Sequence, residues 1–174
     1  MTKQYTLYGM AASLYTGKVR AYMRRNHVSF REEKAGSAHF NSLVAETFGR
    51  WIIPVIETPD GDYVQDGTDI LDHLESQGFS QTSIYPDDPK PRVIAHLFEL
   101  FGGEGILRAA MHYRWNHNED WIYGEFGKSA APNGTPEQQY EAGKAVGQRF
   151  RGFVPMLGIT PETAPGIEKA YEQF

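Results

Sequence analysis

The run from Trp51 to Leu71 constrains the fold more than any other part of this chain. Pro54 sits among the β-branched and apolar residues Ile52, Ile53, Val55 and Ile56, at the head of a strand-like run. Proline removes a ladder donor, so it survives there only at a first strand position or as a cis peptide that turns backbone groups outward. Pro59-Asp60-Gly61 then turns the chain back onto a second strand around Tyr63-Val64. That strand runs directly into a helix opening on Asp66, Gly67 and Thr68. A bare strand backbone beside a helix N-terminus is a site for a peptide carrying a carboxylate.

Organisation on either side follows from periodicity. Gln4 to Gly9 alternates Tyr5 and Leu7 against Thr6 and Tyr8, a short strand. Tyr15, Val19, Tyr22 and Met23 predict a helix over about Leu14 to Arg25. Val28 to Lys34 reads as a second strand whose charges suit an edge, and Asn41 to Phe48 as a short helix. With the Pro54 hairpin and a helix from Thr68 to Gln77, stopped by Gly78, the order is β-α-β-α-β-β-α. Boundaries are expected at 1–80 for this α/β domain, 81–92 for a linker and 93–174 for an α-helical domain. Within the last, Gly102-Gly103-Glu104-Gly105 is expected to bend a helix and residues 126–136 to form a loop. Val146, Phe150, Phe153 and Leu157 give the cleanest apolar stripe, which Pro155 should kink or end. Ile167, Ala170, Tyr171 and Phe174 start another stripe, so the helical domain reads as incomplete.

Composition excludes several functions. The 174 residues carry no cysteine, which removes thiolate zinc sites, disulfides and any cysteine nucleophile. Net charge is −5 without basic blocks, so no nucleic-acid partner is expected. No apolar run approaches a membrane span and no signal peptide opens the chain, which suggests a cytoplasmic protein. His112 and His117 are five residues apart, off the i,i+4 face of a helical zinc pair, and no metal is expected.

Together the Ile53-Pro54 pair, the segment Asp66-Gly67-Thr68-Asp69-Ile70 and the segment Ser13 to Arg20 resemble the glutathione transferases. The resemblance implies a thioredoxin-like α/β domain followed by the helical C-terminal domain of that family. It covers the first domain whole and only the front of the second. Ser13 lies seven places before Arg20, where Ser-type and Cys-type members keep the residue that contacts the glutathione sulfur. Ser13 equally suits a plain helix cap, a role compatible with that contact. Tyr8 and Tyr15 compete for the sulfur contact, and both also suit half-buried packing.

The resemblance further implies that backbone at Ile53, beside Pro54, pairs with the cysteinyl part of glutathione. Asp66 would take the substrate ammonium, with Gly67 and Thr68 at the γ-glutamyl carboxylate. Gly67 departs from the family's serine and loses a hydroxyl bond worth roughly 0.5–1.5 kcal/mol. Arg50 is the expected cation for the glycyl carboxylate, with Trp51 and His39 also in reach. Met10, Tyr15, Phe101, Met111 and Tyr113 would line an apolar acceptor pocket. The implied activity is conjugation of glutathione, as co-substrate, to an apolar small-molecule electrophile by a homodimer. A non-catalytic binding or interaction module of the same fold is the alternative. A thiol oxidoreductase fails for want of cysteine.

Overall fold

The computed structural model describes residues 4–174, with Ala45 described by its backbone alone, and divides into two compact units, Met1–Pro86 and Asp87–Phe174. In the first unit the order is β1 (Tyr5–Gly9), α1 (Leu14–Arg25), β2 (Phe30–Lys34), α2 (Ala38–Thr47), β3 (Val55–Glu57), β4 (Tyr63–Gln65) and α3 (Gly67–Ser76). The four strands form one sheet in the order β2-β1-β3-β4. β1 pairs in parallel with β2, across the α1 crossover, and antiparallel with β3. β3 and β4 form the expected hairpin, whose turn is tied by Thr58 Oγ1 accepting from the Asp60 and Asp62 amides.

All five β1 residues are buried, not just the alternate ones, because both faces of this inner strand are covered. Tyr5 and Leu7 join Val19, Tyr22 and Met23 of α1 and Ile70, Leu71 and Leu74 of α3 in one core. Tyr8 and Val55 join Phe40, Leu43 and Val44 of α2 in the other. The charged strand β2 takes the edge, where its polar side chains reach water. This is the thioredoxin-like arrangement.

The second unit is helical: α4 (Pro89–Leu100), α5 (Leu107–His117), α6 (Glu119–Ala130), α7 (Pro136–Arg151) and α8 (Ala164–Gln173). α4 opens within the stretch expected as linker, because Asp88 accepts from the Lys90 amide and two early prolines need no amide partner there. Between α4 and α5 the glycine cluster forms a π-helical turn, Phe101–Gly105, closed by Ile106 N–H donating to Phe101 O. The Phe101 ring lies over Gly105, where a Cβ would fall 2.4 Å from it. The glycines thus interrupt the regular α-helical pattern with a π turn.

One expectation for this unit needs correction. Residues 126–136 are not a loop throughout, since α6 continues to Ala130. Gly127 does not break it because it is a packing position: a Cβ there would stand 1.9 Å from the Gln139 carbonyl oxygen of α7. The apolar stripe of α7 stands exposed, and glycines make the inner face of the helix. Its buried residues are Gly143 and Gly147, while Val146 and Phe150 are 42% and 38% exposed. Backbones of α6 and α7 therefore approach closely, with Gly143 against the Tyr123 carbonyl and Gly147 against the Tyr123 ring. Around Trp115, which is 1% exposed, Tyr123 and Phe126 complete the aromatic core.

Candidate functional site

Strand register assembles the site. Tyr8 of β1 is opposite Val55 of β3, and Val55 is opposite Gln65 of β4. The end of β1, the start of β3 and the end of β4 therefore lie side by side at one end of the sheet. Ser13 follows β1 after a short loop, Pro54 immediately precedes β3, and Asp66 immediately follows β4. Residues distant in sequence thus meet by topology.

At the first of these positions Ser13 caps α1, its half-buried Oγ accepting from the Thr16 amide at 3.1 Å. Capping uses a lone pair of the hydroxyl and not its proton, so the same group can still donate. Arg20, two turns along, is held by Glu32 at 2.7 and 2.5 Å and reaches the Met10 carbonyl at 3.4 Å. That pair fixes the loop between β1 and α1, on which Met10 and Ser13 stand.

The Ile53–Pro54 peptide is cis, as expected from its setting. Pro54 itself is buried and Ile53 half-buried. Asp66 caps α3, its carboxylate accepting from the Thr68 amide at 2.8 Å. Its φ of 82° is unusual for a residue with a side chain and is held by the abrupt passage from strand to helix. Gly67 is buried and opens α3. A Cβ on Gly67 would stand 3.8 and 3.9 Å from Lys18 Cδ and Nζ, an ordinary contact. Lys18 of α1 therefore borders the N-terminus of α3, which the sequence did not reveal.

Arg50 is exposed and donates to Gln65 Oε1 at 3.4 Å, which places a cation between the Pro54 loop and the end of β4. Of its rivals, His39 lies 3.9 Å from Glu57 and Trp51 packs edge-on against Phe40. Tyr8 is fully buried and donates its hydroxyl to Glu57 at 2.7 Å. Burial, with that hydrogen bond behind it, pushes the Tyr8 phenol well above its ordinary range. Tyr8 is thus a core residue with its proton already committed. Tyr15, half-buried in the first turn of α1, stays beside Ser13.

The five residues expected to line an acceptor pocket are divided between the units. Met10 is 8% exposed in the first unit. In the second, Met111 is a core residue at 6% exposure. Phe101 packs on Phe174 at 4.9 Å and helps line a cavity of about 530 Å³ bordered by α5, the π turn and α8. Tyr113 packs instead against Tyr171, His112 and His117.

Residues 7–81 match the family described as glutathione S-transferase, N-terminal domain. Through these residues the N-terminal unit is identified as a glutathione S-transferase N-terminal domain. Solved structures agree on the fold. A glutathione S-transferase from Rhodospirillum rubrum is 17% identical with a TM-score of 0.53, over 84% of this chain and 63% of that one. One from Methylobacterium radiotolerans, in complex with glutathione sulfonate, is 21% identical with a TM-score of 0.51, over 84% and 66%. One from Methylobacillus flagellatus, with glutathione bound, is 18% identical with a TM-score of 0.53, over 84% and 68%. The chain spans about two thirds of the length of these transferases. No curated protein sequence matches it. Among the described residues no helix is long and apolar enough to cross a membrane.

Proposed function

We propose that the N-terminal unit of this glutathione S-transferase relative binds glutathione and activates its thiol for attack on an apolar small-molecule electrophile. The observation that carries this is the convergence of the Ser13 cap, the cis Ile53–Pro54 peptide and the Asp66–Thr68 helix start at one end of the sheet. In that arrangement the Ser13 hydroxyl donates to the thiolate, and the positive end of α1 adds to the stabilisation. Lowering the thiol pKa in this way supplies the nucleophile without a general base. Backbone at Ile53 pairs with the cysteinyl residue, and the carboxylate of the γ-glutamyl end sits on the amides of Gly67 and Thr68. Asp66 faces the ammonium, and Arg50 offers the cation for the glycyl carboxylate. What remains of catalysis is proximity. The glutathione-binding domain would span 1–80 and the helical domain 93–174, in a cytoplasmic homodimer.

One observation favours a second reading, a non-catalytic module of the same fold. Gly67 lacks the hydroxyl that the family's serine offers at the γ-glutamyl end. Retention on immobilised glutathione, followed by turnover of a chromogenic aryl halide, separates the two. Retention without turnover supports the binding module, and failure of retention removes glutathione from the account. With turnover present, Ser13→Ala should lower kcat roughly ten- to a hundred-fold, as expected for a hydrogen bond of about 1.5–3 kcal/mol to a charged partner. Glutathione affinity should change much less. Ser13→Thr, which keeps both the cap and the hydroxyl, should retain most activity. Unchanged kinetics in Ser13→Ala beside a large loss in Tyr15→Phe would move the role to Tyr15.

A further inference from the structure

Three side chains that the glutathione reading does not use meet in the helical unit. His112 Nε2 lies 2.8 Å from Glu168 Oε1, His117 Nε2 lies 3.3 Å from the same oxygen, and the two Nε2 atoms are 3.3 Å apart. We propose that His112, His117 and Glu168 bind one divalent transition-metal ion, Zn²⁺ by donor chemistry, which ties α8 to α5. The proposal does not depend on the glutathione reading.

The spacing fits an ion. Donors held tetrahedrally at 2.0–2.1 Å from zinc stand about 3.3 Å from one another. Two of the three separations already have that value, and the third opens from hydrogen-bond length. The ion then sits just off the plane of the three atoms, on an open side. His112 is 2% exposed, whereas the side chains of His117 and Glu168 are 49% and 37% exposed. One ligand is thus anchored in the core and two stand at the surface, leaving an entry path and room for water as a further ligand.

The donor set selects the metal. Two imidazoles and one carboxylate suit Zn²⁺ and its transition-metal neighbours, while calcium and magnesium prefer oxygen alone. Without a cation, Glu168 Oε1 must take protons from both imidazoles while their nitrogens face each other. A single ion replaces both protons and removes that crowding. The outer contacts are also of the right type. His112 Nδ1 lies 2.9 Å from the Asn116 amide nitrogen. Rotating that amide, whose oxygen and nitrogen are nearly isosteric, makes Asn116 an acceptor for Nδ1–H. The tautomer so fixed presents its Nε2 lone pair to the ion. Tyr113, packed on both histidine rings and on Tyr171, walls the site on one side.

Helical spacing hid this cluster. Five residues along a regular helix turn the side chains about 140° apart, but His117 is the last residue of α5 and its ring lies 5.0 Å from that of His112. The expectation that His112 and His117 do not converge is therefore corrected, and Glu168 from α8 completes a set that no single element contains. Ile167, Ala170 and Tyr171, the neighbours of Glu168 on α8, line the cavity of about 530 Å³. Metal binding would hold that wall in place.

The test uses the tag-free chain, stripped with chelator and kept free of glutathione. Co²⁺ is titrated while its visible d–d bands are followed, and Zn²⁺ is then added in competition. One equivalent should give the bands, and Zn²⁺ should abolish them. His117→Ala and Glu168→Gln should each weaken binding about a hundred-fold, and Asn116→Ala about ten-fold, as for loss of an outer-sphere partner. Zn²⁺ should raise the melting temperature of the parent chain and not that of Glu168→Gln. The near-isosteric Glu168→Gln keeps the test valid if His117→Ala folds poorly. No cobalt band in the parent chain overturns the proposal. So does binding that survives Glu168→Gln undiminished, which would belong to histidines elsewhere such as His27, His39, His73 or His96.

Discussion

The two units solve the same burial problem with different materials. In the N-terminal unit large apolar side chains point inward, and Leu7, Val19, Ile56, Ile70 and Leu74 are all fully buried. In the helical unit α6 and α7 meet through Gly127, Gly143 and Gly147, while Val146, Phe150 and Phe153 of the α7 region stand partly exposed. The first core is built from volume, whereas the α6–α7 contact beside Trp115 in the second is built from close approach of backbone. A volume core tolerates neither truncation nor a hole. A close-approach core tolerates no added atom.

Substitutions of opposite sense therefore break the comparison most directly. Ile70→Ala removes a fully buried side chain between α1 and α3, and should cost about 3–4 kcal/mol. Gly143→Ala places a Cβ 1.8 Å from the Tyr123 carbonyl oxygen, forces α6 and α7 apart, and should cost about 3 kcal/mol although it adds helix propensity. Val146→Ser, on the apolar stripe of the same helix, should cost about 0.5 kcal/mol or less. Urea unfolding followed by tryptophan emission checks all three. Trp51 reports on the first unit, whereas Trp115 and Trp121 report on the second. A costly Val146→Ser with a harmless Gly143→Ala would reverse the assignment of the inner face of α7.

That contrast explains what could be read beforehand. The order β-α-β-α-β-β-α and the span of α1 were legible because a serine cap and an apolar stripe both point to the same register. The Ser13 and Asp66 helix caps and the cis Pro54 were legible because each stands at a strand–helix or loop–strand junction with its own local chemistry. Gly127 was misread as loop material because a packing glycine and a breaking glycine look alike in sequence. The commitment of Tyr8 to Glu57, the place of Lys18 beside Gly67 and the convergence of His112, His117 and Glu168 were not legible. Each is a contact between elements, fixed by topology and not by neighbours in the chain.

A smaller effect sharpens the account of the N-terminal unit. Gly67 has room for a side chain, since its added Cβ would make only ordinary contacts with Lys18. Gly67→Ser should therefore fold normally and supply the missing hydroxyl at the start of α3. A hydrogen bond of about 0.5–1.5 kcal/mol corresponds to roughly two- to ten-fold tighter glutathione binding. Calorimetric titration reads this directly. Weaker or unaltered binding would place the γ-glutamyl end away from α3.

An effect of similar size tests the polar seam of the volume core. Tyr22 is 6% exposed, and its hydroxyl donates to Glu75 Oε1 at 2.5 Å, joining α1 to α3. Burial, then the bond to Glu75, pushes the Tyr22 phenol up to about 12. Burial alone would raise Glu75, but bonds from Ser83 and Tyr22 outweigh it and hold the carboxyl below its ordinary range. The raised phenol stabilises the fold fully below pH 10, its ordinary value, and that stabilisation is lost as pH rises toward 12. The lowered carboxyl stabilises above its ordinary value of 4.5 and loses its contribution as pH falls through the depressed value. Tyr22→Phe should thus cost about 1 kcal/mol near neutrality, a net hydrogen bond with little change in volume. The cost should stay level between about pH 5 and 9 and shrink on both sides. Urea midpoints of parent and variant across that range give the curve, and a cost that grows above pH 10 would show that the Tyr22–Glu75 bond is not what holds α1 against α3.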